Sequence, residues 1–299
     1  MIEKLEFLLA LARERNFSRA AEFCGVTQPT LSAGIKQLEE TLGVLLVNRS
    51  SRFHSLTPDG ERVLEWAKRI VADARAMRQE IRSPNKSLIG HLTLAVVPTA
   101  LGMVQKLTIP FREKHPQVRF TILSQTSREI LIMLDGLQID AGLTYVDNEP
   151  LGHIRATPLY RERYSLLTSA DQPLGDRATV TWKEVAKIPL CLLTPDMQNR
   201  RIIDRMLASS ASNDTPMLES NSMVVLAAHV RTGRWASIIP ETFADILDST
   251  QALRSIPIVE PKEVQTIGLV LPRREPMPPL SRALLAEATR LAAIEGVGA

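Results

Sequence analysis

Phe17-Ser18-Arg19-Ala20-Ala21-Glu22-Phe23-Cys24-Gly25-Val26-Thr27-Gln28-Pro29-Thr30-Leu31-Ser32-Ala33-Gly34-Ile35-Lys36-Gln37-Leu38-Glu39 carries two helices and the turn between them. Ser18 is placed to cap the first helix, which runs to Cys24 and stops near Gly25. Small Ala20 and Ala21 let another helix approach closely. Thr27 is placed to cap the second helix, with Pro29 inside its first turn, where a missing N–H costs little. Leu31, Ile35, Leu38 and Leu42 follow at spacings of 4, 3 and 4 and form an inner stripe. Gln28, Thr30, Ser32, Ala33 and Lys36 are left outside, small or hydrogen-bonding side chains near a helix start. Two helices joined by a glycine-containing turn make a helix-turn-helix. Its outer face is where such a helix meets base edges.

Upstream, Leu5, Leu8, Leu9 and Ala12 lie at helical spacing in the segment Ile2 to Arg15. Downstream, Val44 to Val47 and residues 48–54 read as two short extended pieces around a polar, basic tip, a wing whose Arg49 and Arg52 reach phosphates. Thr57 then caps a long helix with Pro58 in its first position and Asp59 and Glu61 in the first turn. Val63, Ala67, Ile70, Ala74, Met77 and Ile81 recur at 4, 3, 4, 3, 4, the seam of a coiled coil flanked by charge. A helix from Pro58 to Arg82 is roughly 38 Å long. Projecting from a small domain, it pairs most simply with its twin; the alternative is a helix lying on its own body. Ser83-Pro84-Asn85-Lys86-Ser87 breaks it and reads as a hinge.

At 299 residues the chain is long enough for about two domains. Its 44% hydrophobic and 23% charged content is that of a globular protein with a sizeable core. Residues 1–90 hold 14 Lys/Arg against 11 Asp/Glu, and the rest 22 against 22, so the whole excess of +3 lies in the first third. That asymmetry points to a nucleic-acid-binding head on a neutral body. Cys24 and Cys191 cannot build a disulfide framework, which makes a reduced, cytoplasmic setting the default. No run of about 18 apolar residues marks a membrane span, and Glu3, Lys4 and Glu6 interrupt any signal-peptide core.

The N-terminal third resembles the LysR-type bacterial transcription regulators. The match is Phe17-x-x-Ala20-Ala21, then Val26-Thr27-Gln28-Pro29-Thr30-Leu31-Ser32-x-x-Ile35-x-x-Leu38-Glu39 and Leu42-Gly43, then Arg49 and Leu56-Thr57-x-x-Gly60. One departure is Val47, where the family usually has Phe; a smaller core contact under the wing is expected. The resemblance covers the whole chain, but its motifs are specific only in the first 60 residues. It implies an N-terminal winged helix-turn-helix (α+β), a long dimerising linker helix and a two-lobed α/β effector domain of periplasmic-binding-protein type. The corresponding boundaries are 1–57, 58–87 and 88–299, with lobe I at 88–160 and 266–299 and lobe II at 161–265. The candidate DNA-binding set is Ser18, Arg19, Thr27, Gln28, Pro29, Thr30, Ser32, Ala33, Lys36, Arg49 and Arg52. The expected assembly is a homo-oligomer, a dimer of dimers, on a palindromic operator in double-stranded DNA, with RNA polymerase as a further partner.

From Leu88 onward strands and helices alternate. His91–Val97, Val118–Ser124 and Ile139–Thr144 read as strands, and Thr99–Lys114 and Ser127–Leu137 as helices, an order that argues for a mostly parallel sheet. A second unit follows, with strands at 163–168, 190–193 and 236–239 and helices at 197–209 and 222–231. Gln265–Leu271 and a final helix, Leu280–Ile294, return to the first. In such folds ligands sit outside the carboxyl ends of strands. The polar junctions Pro98-Thr99-Ala100, Gln125-Thr126-Ser127 and Thr194-Pro195-Asp196 are the places to look. Helix N-termini there suit a small anion. By resemblance, the effector contacts are Pro98, Thr99, Ala100, Gln125, Thr126, Ser127, Thr144, Thr194 and Pro195, although each Thr or Ser equally reads as a plain helix cap. No arginine lies within these junctions, Arg128 following the second, and a dicarboxylate usually wants a guanidinium. A monocarboxylate or inorganic anion is therefore the expected effector, with formate, acetate and small aromatic acids as examples.

The remaining constellations are bland. His54, His91, His115, His153 and His229 have no second ligand at metal spacing, and no cofactor is expected. Trp66, Trp182 and Trp235 read as core or interface residues. Neither a nucleophile elbow, a Walker pattern nor G-x-G-x-x-G occurs, which argues against an enzyme. A transport solute-binding module fits poorly with the attached basic head.

Overall fold

The computed structural model describes residues 1–49, 53–81, 88–147, 154–209, 216–247 and 253–297. It divides into two compact units, Met1–Lys86 and Ser87–Ala299. Among the described residues no helix is long and apolar enough to cross a membrane.

The first unit opens with α1 (Ile2–Glu14), α2 (Phe17–Phe23) and α3 (Gln28–Leu42). The wing strands β1 (Val47–Arg49) and β2 (Phe53–Leu56) and the long helix α4 (Pro58–Ile81) follow. Leu8, Leu11, Ala20, Leu31, Ile35 and Leu38 form the core with Leu46 and Ala67. The cap of α2 is Asn16, not Ser18: its Oδ1 accepts from the N–H groups of Ser18 and Arg19 at 2.9 and 3.1 Å. The reason is that the helix begins two residues earlier than the apolar pattern indicates, at Phe17.

Two glycines in this unit are fixed by close approach. A Cβ at Gly34 would meet the Phe7 ring at 2.6 Å, so its absence lets α3 cross α1. A Cβ at Gly60 would lie 2.1 Å from the Leu46 carbonyl oxygen, so α4 starts hard against the wing. Thr57 completes that joint, donating from Oγ1 to Leu45 O at 2.6 Å while accepting from Gly60 N–H at 2.9 Å. Glu39 does the same from α3: its buried Oε1 accepts from the N–H groups of Leu46 (2.9 Å) and Val47 (3.3 Å). Helix, wing and linker are thus joined by three hydrogen-bonding side chains or backbones within a few residues.

Unit two contains lobe I strands β3 (Gly90–Val96), β4 (Val118–Ser124), β5 (Ala141–Tyr145) and β6 (Ile154–Glu162). Lobe II follows with β7 (Tyr164–Ser169), β8 (Cys191–Leu193), β9 (Leu218–Ser220), β10 (Ser237–Pro240) and β11 (Leu253–Pro257). The return strand β12 (Gln265–Pro272) completes the lobe I sheet in the order β4-β3-β5-β12-β6. The helices are α5 (Val104–Lys114), α6 (Ser127–Asp135), α7 (Trp182–Val185), α8 (Gln198–Ser209), α9 (Met223–Val230), α10 (Glu241–Leu247) and α11 (Pro279–Ile294). A 3-10 turn, Pro98–Met103, stands where the sequence predicts the first turns of α5.

The mostly parallel expectation needs correction. Among the described residues β3, β4 and β5 run parallel in lobe I and β8 and β9 in lobe II, whereas β12 is antiparallel to both its neighbours, and so is β7 in lobe II. The cause is connectivity, since β12 re-enters lobe I from the opposite end. β6 and β11 are strands that the sequence pattern did not show. β6 contains Pro158, which lacks a ladder donor, and a register irregularity lies opposite it at Ile267/Gly268. As an edge strand β6 tolerates both. The chain passes between lobes twice, at Arg163 between β6 and β7, and between β11 and β12.

Candidate functional site

The outer face of α3 presents Gln28, Pro29, Thr30, Ser32, Ala33 and Lys36 to solvent, while Leu31, Ile35 and Leu38 are buried beneath. Thr27 is exposed but its Oγ1 is engaged, accepting from Thr30 N–H at 3.4 Å and lying 2.9 Å from Thr30 Oγ1. Ser18 and Arg19 stand exposed at the start of α2, and Arg19 donates to Glu14 O at 2.9 Å. Lys36 Nζ is 3.9 Å from Glu40 Oε1 in an open pair of little energetic weight. Arg49 ends β1, and Arg52 lies outside the described residues.

The seam read along α4 divides in the structure. Ala67 and Ala74 are buried, and Val63 packs partly against the core of the unit's own helices. Ile70, Met77 and Ile81 face out at 40%, 53% and 74% exposure, beside Trp66 at 64%. Helical and heptad periods differ, so a strict heptad stripe drifts about 20° per repeat around a straight helix. Here the division falls within one repeat: Ala67, Val71 and Ala74 share the covered face, and Ile70, between them in sequence, is turned out.

Between the lobes lies a small recess. Lobe I contributes Val97, Pro98, Thr99, Ser127 and Tyr145; lobe II contributes Leu193, Met197, Gln198 and Asn199. Of the nine residues expected at this site, Pro98, Thr99 and Ser127 line it. The others do not, each for a visible reason. Ala100 is buried in the lobe I core, and Thr144 sits within β5 opposite Gly268. Gln125 and Thr194 donate their N–H groups to Val96 O and Ser220 O, and Pro195 is exposed. Thr126 is the cap of α6, where Oγ1 accepts from Glu129 N–H and the Glu129 carboxylate accepts from Thr126 N–H. Tyr145, Met197, Gln198 and Asn199 were missed, because only the fold brings β5 and the start of α8 to the Thr99 turn.

Two helices of ordinary length, α6 and α8, begin at this recess with Ser127 and Gln198 as their first residues. First-turn N–H groups without intrahelical acceptors make such ends favourable to negative charge. Ser127 Oγ is buried and makes no hydrogen bond, an unsatisfied polar group on the recess wall. Two guanidiniums stand near α8's start: Arg200 is buried and donates to Leu193 O, Asp204 and Glu219 at 2.6–2.7 Å, and Arg201 donates to Gln198 Oε1 at 2.7 Å and to Asp196 O at 3.1 Å. Behind the recess, Tyr145 OH donates to Glu162 Oε1 at 2.7 Å and lies 3.0 Å from Thr99 Oγ1. Glu162 is fully buried, and burial raises its carboxyl from 4.5 to about 7 despite the hydrogen bond from Tyr145. Cys191 lies outside this lining in the lobe II core, its thiol pushed by burial to about 11. Among the described residues no cluster of three metal-ligating side chains occurs.

The comparisons with known proteins agree with this architecture. The family model for a bacterial regulatory helix-turn-helix protein, lysR family, matches residues 2–61, and that for a LysR substrate binding domain matches residues 85–293. The dual regulator OxyR of Escherichia coli K12, a DNA-binding transcription regulator, is 27% identical over 270 residues, covering 90% of this chain and 88% of that protein. Full-length OxyR from Pseudomonas aeruginosa superposes with a TM-score of 0.74 at 24% identity, covering 98% of this chain and 97% of the other. CbnR bound to its target DNA gives 0.68 at 20% identity, covering 98% and 100%. With both of its units matched by family models, one carrying the exposed recognition helix and the other the inter-lobe recess, the chain belongs to the LysR family of bacterial transcription regulators, which are not enzymes.

Proposed function

We propose that this regulator reads a palindromic operator with α3 and is controlled by a small anion, a monocarboxylate or an inorganic oxyanion, held between the two lobes. The observation that carries the effector reading is the recess itself. An unsatisfied Ser127 hydroxyl and the first turns of α6 and α8 converge on a small recess lined by uncharged side chains. Donors without a competing cation favour a ligand of one negative charge over a dicarboxylate.

Relatives bearing the name hydrogen peroxide-inducible genes activator raise a thiol-based alternative. Cys191 argues against it. It is fully buried, donates weakly to Leu226 O at 3.8 Å, and its raised thiol disfavours the reactive thiolate. On the DNA, Gln28, Pro29, Ser32 and Ala33 face base edges, while Lys36, Arg49 and Arg52 meet phosphates. Ser18 and Arg19 stand at the backbone, and Thr27 and Thr30 hold the helix start. The exposed residues of α4, Trp66, Ile70, Met77 and Ile81, pair protomers in a cytoplasmic homo-oligomer, a dimer of dimers, and contact with RNA polymerase accompanies activation.

A thermal-shift screen against formate, acetate, nitrate, phosphate and sulfate tests the effector. The reading expects a saturable rise with a monovalent anion that is lost in Thr99→Val and Ser127→Ala. A rise only with bulky or cationic compounds refutes it.

A further inference from the structure

A carboxyl group buried at the passage between two lobes calls for an account of its proton. Glu162 ends β6, and the chain enters lobe II two residues later at Tyr164. Its Oε1 accepts from Tyr145 OH at 2.7 Å, and its Oε2 is buried without a hydrogen-bond partner. Tyr145 OH is in turn 3.0 Å from Thr99 Oγ1 and accepts from Asn199 Nδ2 at 3.5 Å. Thr99, Tyr145 and Asn199 all line the recess. A continuous chain of exchangeable groups therefore runs from the recess wall to the buried acid.

Each hydroxyl in that chain has one proton to give. With Glu162 ionised, Tyr145 donates to it, Thr99 donates to Tyr145, and Thr99 turns only lone pairs toward the recess. With Glu162 protonated on Oε1, every bond can reverse. Glu162 donates to Tyr145, Tyr145 donates to Thr99, and the Thr99 proton is freed for the recess. The second arrangement adds a donor for an anion to those of Ser127 and the helix starts. The anion also disfavours a second negative charge behind the same wall, where the low dielectric strengthens repulsion.

We propose that anion binding between the lobes is coupled to uptake of one proton by Glu162, through reversal of the Glu162–Tyr145–Thr99 hydrogen bonds. The proposal rests on the small-anion reading of the recess. The groups facing Glu162 leave it free to take this role. Tyr145 faces it from β5, Thr99 from the 3-10 turn, and Tyr160 and Tyr164 from the flanking strands. Burial above all, then Glu162 itself, holds the three phenols well above their ordinary range, so they stay protonated. Glu295 acts on Tyr160, and Glu263 and Arg205 act on Tyr164. The carboxyl's own raised position near 7 makes both protonation states accessible in neutral solution.

The test is calorimetric titration of the full chain with formate, acetate and nitrate from pH 6 to pH 9, nitrate being an anion that does not itself titrate. The Kd is expected to be flat at the acid end and to weaken about tenfold per pH unit above 7, the slope of one linked proton. At pH 8, heats in two buffers of different ionisation enthalpy should report one proton taken up per anion. Glu162→Gln supplies a permanent donor of the same shape; its Kd should be independent of pH and match the wild-type value at pH 6. Wild-type binding that stays constant from pH 6 to pH 9, and is still abolished by Thr99→Val, overturns the coupling and leaves the anion site standing. Failure of all three anions to bind at pH 6 overturns the anion site, and the coupling with it.

Discussion

Glu162→Gln also makes a quantitative stability prediction that needs no effector. The carboxyl titrates near 4.5 when the chain is unfolded and near 7 when it is buried. Between these values the folded state binds more protons than the unfolded state, so stability falls as pH rises through this window. At 1.36 kcal/mol per pH unit the full penalty above pH 7 is about 3 kcal/mol, of which ~2.5 falls between pH 5 and pH 8. The amide has no such titration. The variant should therefore gain on the wild type by ~2.5 kcal/mol between those two pH values, roughly 5–10 °C in Tm for a unit of this size. Urea denaturation followed by the fluorescence of buried Trp182 measures it in the right unit. The quantity to plot is the difference between variant and wild type, since other titrations cancel in it. A difference that stays constant from pH 5 to pH 8 would show that Glu162 keeps an ordinary carboxylate in the fold, and the reasoning would fail.

The other expectations follow from single contacts. Gly34→Ala drives a methyl into the Phe7 ring and should cost about 1–3 kcal/mol of stability in the N-terminal unit, read from a thermal melt. Glu39→Ala orphans the buried N–H groups of Leu46 and Val47; a loss of about 1–3 kcal/mol is expected, and an unchanged melt would mean that water replaces the carboxylate. Gln28→Ala should relax base preference in a binding-site selection, worth ~1–3 kcal/mol at one position, whereas Lys36→Ala should weaken all sequences alike and lower the salt slope by about one. Ile70→Asp, at an exposed position of α4, should convert dimers to monomers in ultracentrifugation while leaving the helix content intact.

The legible part of the molecule is the part built from neighbours in sequence. The stripe of Leu31, Ile35 and Leu38, the Thr27 cap and the Pro58 helix start are local patterns, and each stands in the structure where the spacing puts it. Departures arise where a residue's partner is remote. Asn16 displaces Ser18 as cap by a shift of two residues, and β6 hides behind Pro158 because its edge position, which excuses the proline, is a property of the sheet. The α4 stripe shows the same limit. Apolar spacing tells which residues share a face, but only the folded unit decides that Ala67 and Ala74 are already covered.

The recess extends that lesson to function. Thr99 and Ser127 announce themselves as polar residues at strand ends, and both line it. Tyr145 and Glu162 look in sequence like an aromatic strand residue and a charged strand end. Their meaning comes from juxtaposition across 17 residues of chain, with Thr99 a further 46 residues before Tyr145. Burying a carboxyl there is costly, and an apolar residue of similar volume would avoid that cost. A hydrogen-bonded acid at the lobe passage has something that an apolar residue lacks, two protonation states that impose opposite directions on one hydrogen-bond chain. Since that chain ends on the recess wall, the cost falls where a switch between two binding states would place it.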